Sequence, residues 1–276
     1  MRFLLTLLAT LLPLIIHAAR PVTSAYTVEA GSSHISDTYL TPLRYEGWHA
    51  AIDYERFQAM RFDPGHWIMR LNVNTAVDRA SNPAHNATMW NAGVSASWAM
   101  MRRWTLPWSP GLRAAVGGIT GIEAGALYLA RNGNNPVSAR AAWTIGVTAM
   151  ATWSTRVWGV PITLRYQPSV PLTGVFFAPD YGELYYEISL GNRSGLVHAA
   201  WPGNRFVMQN LVTVDLRFGA TALRVGYSGR ILSGKVNGIV TRTVTHAVTV
   251  GVSGEWLSIN PGHPGNTGTP DISAFY

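Results

Sequence analysis

The chain has 276 residues, of which 47% are hydrophobic and only 13% charged. Soluble domains carry about 25% charged residues, so half of an ordinary solvated surface is missing, and the apolar content excludes disorder. There is no cysteine, which removes disulfide scaffolds, thiolate metal sites and cysteine nucleophiles.

Residues 1–19 carry one positive charge, Arg2, then an apolar run from Phe3 to Ile16 and the small pair Ala18 and Ala19. That is the pattern of a secretory signal peptide, cleaved after Ala19 or, as the alternative, near Ala25. No later stretch approaches about 18 uninterrupted apolar residues, so helical membrane spans are not expected. A weak first strand is predicted over residues 26–31. From Arg44 onward, apolar residues recur at every second position. Trp48, Ala50, Ile52 and Tyr54 share one face, while His49, Ala51, Asp53 and Glu55 share the other. Trp67, Met69, Leu71 and Val73 oppose Arg70, Asn72 and Asn74; Trp90 to Trp98 alternate with Asn91, Gly93, Ser95 and Ser97. Leu112, Ala114 and Val116 oppose Arg113, and further on Ile122 opposes Glu123. Trp143 to Trp153 alternate with small polar residues; Ile162, Leu164 and Tyr166 oppose Thr163, Arg165 and Gln167. Val212 to Phe218 oppose Asp215 and Arg217, Leu223 to Tyr227 oppose Arg224, and Val244 to Val252 alternate with threonines, although His246 shares the apolar face. These are half-buried strands.

A soluble periplasmic β-protein would also alternate. The long strands, the small polar residues on the second face and the spacing of tryptophans favour an antiparallel transmembrane β-barrel instead. Trp143 and Trp153 lie ten residues apart on one face. At about 3.3 Å per residue and roughly 40° tilt they stand about 25 Å apart, the height of a lipid-facing band between aromatic girdles. Short connections near 63–65, 102–110, 158–159 and 219–221 alternate with longer ones at 32–42, 77–86, 128–138, 168–206 and 229–238. This predicts an all-β, ten-stranded barrel over residues 20–257, both termini in the periplasm and the longer loops outside. Twelve strands is the alternative, if Tyr185-Tyr186-Glu187-Ile188 crosses the membrane. Residues 258–276, rich in Pro and Gly, are expected to form a flexible tail.

Four segments carry a family resemblance: Asp37-Thr38-Tyr39-Leu40-Thr41-Pro42-Leu43; Tyr181 with Tyr185 to Ile188; Leu223-Arg224-Val225-Gly226-Tyr227; and His246 with Glu255-Trp256-Leu257. Together they resemble a family of envelope proteins of Gram-negative, gut-type bacteria known only as a domain of unknown function. The resemblance implies an envelope location and a barrel-like fold, and it carries over no catalytic residue.

Chemistry is weakly signalled. His34 and Ser36 share a face if extended, beside Asp37, but Ser-Ser-His-Ile-Ser-Asp is equally an ordinary polar loop. His49, Asp53 and Glu55 form an inward row that could do acid–base work. The plainer reading is a lumen charge network of Asp53, Glu55, Arg70, Arg113, Glu123, Arg165, Asp215, Arg217 and Arg224, because charges in a narrow bore must be paired. Such a network closes the lumen, and the outnumbered acids would each serve several arginines. No metal spacing appears among the histidines and no cofactor is expected. The segment 168–206 is rich in rings, with Phe176, Phe177, Tyr181, Tyr185, Tyr186 and Trp201. It is an extracellular loop that either binds a surface glycan or protein ligand or folds over the barrel mouth, with Asp180, Glu183, Arg193 and Arg205 as polar contacts. The partners expected are outer-membrane lipid and the outer-membrane assembly machinery. Nucleic acid is excluded, since the arginines are scattered singly. The function expected is non-enzymatic: structural, surface-binding or narrow-pore. An outer-membrane hydrolase acting on lipid or peptide is the alternative.

Overall fold

The computed structural model describes residues 22–191, 194–219, 221–256 and 274–275. The expected signal peptide and residues 258–273 of the tail lie outside them. The strands are β1 (Val22–Asp37), β2 (Thr41–Ala59), β3 (Trp67–Ser81), β4 (Thr88–Thr105), β5 (Leu112–Leu129), β6 (Val137–Val157), β7 (Val160–Phe177), β8 (Val197–Ala200), β9 (Arg205–Phe218), β10 (Thr221–Val236) and β11 (Ile239–Trp256), with one short helix, α1 (Tyr185–Ser189). Apart from β8 and β9, each strand pairs antiparallel with its sequence neighbours, and β1 pairs with β11 from Val22↔Trp256 to Asp37↔Thr241, which closes the sheet. The short β8 and the long β9 both pair with β7, at Gly174–Phe177 and Ile162–Ser169, so together they fill one wall position. The result is a closed barrel of ten wall positions, as the alternation predicts. Tyr185 to Ile188 lie in α1 and cross nothing.

The wall faces out with apolar side chains: Val28, Ile52, Val94, Ile122, Trp143, Val147, Trp153 and Val250 are all exposed. Soluble proteins seldom expose contiguous apolar surface on this scale, and a lipid-facing barrel requires it. Inward-facing Thr, Ser, Asn and charged residues are buried or half-buried, Glu55, Asp78, Arg165 and Asp215 among the buried ones.

The connections depart from a strict short–long alternation. At the end away from the termini, β1 turns into β2 over Thr38 to Leu40, and β10 turns into β11 through Asn237 and Gly238 alone. Both turn residues have positive φ, 49° and 73°, as a two-residue type I′ hairpin requires, and Asn-Gly is its preferred pair. Replacing Gly238 by Ala should cost about 1–3 kcal/mol of stability through backbone strain, read as an earlier urea midpoint. At the terminal end, the β2–β3 link of residues 60–66 is the longer one. The strands reach further than their apolar signal because polarity inverts beyond the lipid-facing belt. Near the far end Ile35, Tyr45, Met89, Leu127 and Ile239 point inward into one apolar cluster, while His34, Arg44, Glu46 and Arg242 point outward into solvent. The segments near 32–42, 77–86 and 229–238 are therefore largely strand.

The segment 168–206 is likewise no single loop. β7 runs through Pro168 and Pro171 to Phe177. Pro171 falls where β7 passes from its pairing with β9 to its pairing with β8, beside a register shift against β6, so no ladder hydrogen bond needs its missing N–H.

Candidate functional site

The lumen holds the densest arrangement of charge in the molecule, and it is layered. Near the terminal end, Glu55 from β2 collects three arginines from three other strands. Arg70 Nε donates to Oε1 at 2.6 Å; Arg165 Nη1 and Arg224 Nη1 both donate to Oε2 at 2.8 Å. Arg224 also forks onto Asp215, with Nε and Nη2 each 2.7 Å from a carboxylate oxygen. Ser253 Oγ donates to the same carboxylate at 3.3 Å. Glu55 and Arg165 are each 2% exposed and Asp215 is fully buried.

This layer rests on rings. The guanidinium groups of Arg165 and Arg224 sit 5.1 and 5.2 Å from the centroid of Phe275, and that ring lies 5.2 Å from Phe57. Cations over ring faces gain electrostatic stabilisation, more so when desolvated. Phe275 and Ala274 join Phe57, Ile68, Met101, Ala115 and Met150 in an apolar cluster that fills the terminal end. The end of the expected flexible tail is thus seated inside the barrel.

Above the Glu55 layer lies a polar chamber of about 170 Å³. On its β1–β3 side, His49 Nδ1 stands 2.6 Å from Asp78 Oδ1, and His49 Nε2 stands 3.6 Å from Glu29 Oε2. Asn91 donates to Asp78 at 2.5 Å and Asn72 donates to Asp53 at 2.7 Å. Elsewhere around the wall Glu123 receives Arg205 and Arg230, and the guanidinium of Arg205 sits 5.5 Å from the Phe176 ring.

Over the far mouth lie the apolar cluster and a strap from the β7–β8 segment. Tyr39 Oη donates to the Glu183 carbonyl at 2.6 Å, and Asn135 Nδ2 donates to Tyr39 Oη at 2.7 Å. The Ala139 amide donates to Tyr185 Oη at 2.6 Å, and the Tyr185 ring stacks on Phe177 and meets Tyr39 edge-on. Burial pushes both phenols above their ordinary pKa, helped for Tyr39 by Tyr185, Glu183 and Asp37. Both stay protonated at neutral pH, so the strap keeps its donors.

Of the nine lumen residues the alternation singles out, Glu55, Arg70, Arg165, Asp215 and Arg224 meet in one layer. Glu123 belongs to a separate cluster, Asp53 takes an asparagine amide, and Arg217 lies 3.4 Å from Glu255. Arg113 sits at the terminal end of β5, outside the contacts of Glu55. Glu29, on the expected first strand, and Arg140, just past an expected loop, are further lumen residues; Asp78, Arg205 and Arg230 are lumen residues that the expected loop boundaries hid. Carrying each strand's parity onward would have found them, since Arg230 follows Arg224 by six residues and Asp78 follows Asn72 by six. Arg205 faces the bore and is not a surface contact of the loop; Arg193 lies outside the described residues.

The ring-rich segment divides. Phe176 is buried, Phe177 and Tyr185 pack over the mouth, and Tyr181, Tyr186 and Trp201 project outward with Leu190 and Val197. As for nucleophilic sites, His34 lies on the outer face with Glu46 at 3.3 Å, Asp37 turns inward, and no hydrogen bond joins His34 to Ser36. His246 also faces outward, with Tyr227 Oη 2.5 Å from its Nδ1. Among the described residues no group of histidines and carboxylates has the arrangement of a metal site.

No curated protein matches the chain in sequence. Solved structures that resemble it include the outer membrane protease OmpT from Escherichia coli, 8% identical, covering 86% of this chain and 97% of that one with a TM-score of 0.43. The translocator domain of autotransporter NalP from Neisseria meningitidis is 9% identical over 92% and 95% of the two chains, TM-score 0.39. The transport unit of autotransporter AIDA-I from Escherichia coli is 9% identical over 87% and 91%, TM-score 0.37. In sequence, one family profile matches residues 4–262, nearly the whole chain, and its description is "Protein of unknown function (DUF3316)". The chain belongs to that family.

Proposed function

We propose that this protein is an exported outer-membrane barrel, not an enzyme, with a closed lumen and a surface-binding role. The observation that carries the reading is closure at both ends, with an exposed apolar rim at the far one. Two apolar clusters and the Glu55 layer occupy the bore on either side of the chamber, which argues against a steady pore. Tyr181, Tyr186, Leu190, Val197 and Trp201 remain exposed on the strap, Tyr186 and Leu190 by 69% and 70%. Rings presented this way suit stacking on a sugar or anchoring a partner protein. The apolar outer face, with Trp143 and Trp153 both exposed, fits outer-membrane lipid between aromatic girdles, and such a barrel needs the assembly machinery to insert. Against a hydrolase, His34 engages no serine, and His49 lies within the bore held between Asp78 and Glu29.

In cells the protein should co-fractionate with outer membrane, and a tag inserted at Gly191 should be seen on intact cells. Refolded into planar bilayers it should carry no steady conductance. On an array of surface glycans, changing Tyr181, Tyr186 and Trp201 together to Ala should weaken binding about tenfold or more without altering folding. A large steady conductance, or a tag visible only after the outer membrane is breached, overturns the reading.

A further inference from the structure

The chamber between the two closures is polarised across the bore. Glu29, Asp53 and Asp78 come from the adjacent strands β1, β2 and β3, with His49 among them and Arg70 turned to Glu55, whereas Arg140 and Arg230 come from β6 and β10, Arg230 with Glu123 of β5, and Arg165 lies in the floor. Opposed walls of this kind set up a transverse field in a space shielded from bulk water.

The inner surface also has unused hydrogen-bonding capacity of both signs. Arg140 Nε and Nη2, Arg230 Nε, and Arg165 Nε and Nη2 are buried with no hydrogen-bond partner. Arg165 is the strictest case, at 2% exposure. On the acidic side, Asp53 is held through Oδ2 by Asn72, and Glu29 has His49 at 3.6 Å. Each arginine already has a carboxylate, Arg140 with Asp37 at 3.6 Å, Arg230 with Glu123 and Arg165 with Glu55, so what the chamber offers is spare N–H donors on one wall and spare carboxylate oxygens on the other. A simple anion would face the carboxylates across the bore, and a simple cation would face the arginines. A molecule with both charges at its two ends meets neither penalty.

We propose that the chamber is a binding site for a small zwitterion of amino-acid size, its ammonium against Glu29 and Asp53 and its carboxylate against Arg140 and Arg230. The site is separate from the exposed strap, so it stands or falls independently of surface binding there.

The test uses full-length protein refolded in detergent with glycine, β-alanine or 4-aminobutyrate present during refolding, so that closure does not bar entry. Ligand retained after gel filtration is measured as a function of its concentration during refolding, which gives the affinity, with acetate and methylammonium as single-charge controls. At least one of the three zwitterions should be retained and bind about tenfold or more tightly than either control. Asp53→Asn and Arg140→Gln should each weaken that binding about tenfold, while the gel shift on boiling stays that of the parent. The inference is overturned if none of the three binds at about 10 mM. It is equally overturned if acetate binds as well as the zwitterions, or if Asp53→Asn leaves their affinity unchanged.

Discussion

Glu55→Ala should destabilise the barrel more than any other single change in the lumen. Glu55 receives donors from Arg70, Arg165 and Arg224, and all four side chains are almost fully buried. Removing one partner of a buried pair leaves an uncompensated charge and typically costs about 3–5 kcal/mol. Here three guanidinium groups lose a shared acceptor, and only Arg224 keeps another carboxylate, that of Asp215. The contact is also mechanical, because β2 reaches across the bore to β7 and β10, strands that are not its neighbours in the wall. Loss of the tie removes the link holding those walls at a fixed separation. Asp215→Ala should cost less, since Arg224 retains Glu55, and Asp53→Ala should cost least, about 1 kcal/mol or under, because an amide is its hydrogen-bond donor. Urea unfolding followed by the gel shift on boiling gives the order directly. Equal losses for Glu55→Ala and Asp53→Ala would mean that the layer carries no special weight.

The fold was legible wherever outside and inside differ in the sense that lipid imposes. Val248, Val250 and Val252 facing out, with Thr249 and Ser253 facing in, is a pattern only a lipid-facing strand needs. Past the belt the sense reverses. Ser32, His34 and Ser36 face water while Ser33, Ile35 and Asp37 line the bore, so a search for outward apolar residues sees a loop. That reversal hid Asp37 near the mouth, and Asp78 and Arg230 in the chamber wall. The Glu55 layer was readable as inward parity, but parity does not say which arginine reaches which acid. Strand stagger around the wall decides that: it brings Arg165 and Arg224 to Glu55 and places Glu123 with Arg205 and Arg230. The seat of Phe275 had no periodic signal at all, since it depends on a tertiary contact made by one ring beyond the last strand.

Phe275→Ala should open the terminal closure without unfolding the barrel. The wall is held by continuous ladders from β1 to β11, whereas the tail end is held by side-chain contacts, those of the Phe275 ring and the Arg103 Nη1 that donates to the Ala274 carbonyl at 3.4 Å. That ring touches Phe57 and lies under Arg165 and Arg224, so its loss removes an aromatic contact and two cation–ring contacts together. Truncating a buried Phe costs about 3–5 kcal/mol where the surrounding structure cannot yield. A terminal segment can yield by leaving, and departure admits water to the underside of the Glu55 layer. Because the chain contains no cysteine, one introduced thiol reports this cleanly. Met150 is 4% exposed and lies in the same cluster as Phe275, so Met150→Cys in the parent should react slowly with a water-soluble maleimide. Adding Phe275→Ala should raise the labelling rate about tenfold or more, because reaction then needs no local opening. A thiol placed at Met89, in the cluster at the far mouth, should remain protected in both backgrounds, which separates release of the tail from general loosening. Unchanged labelling at residue 150 would mean that wall side chains alone make the closure, and that the tail contributes only its contacts.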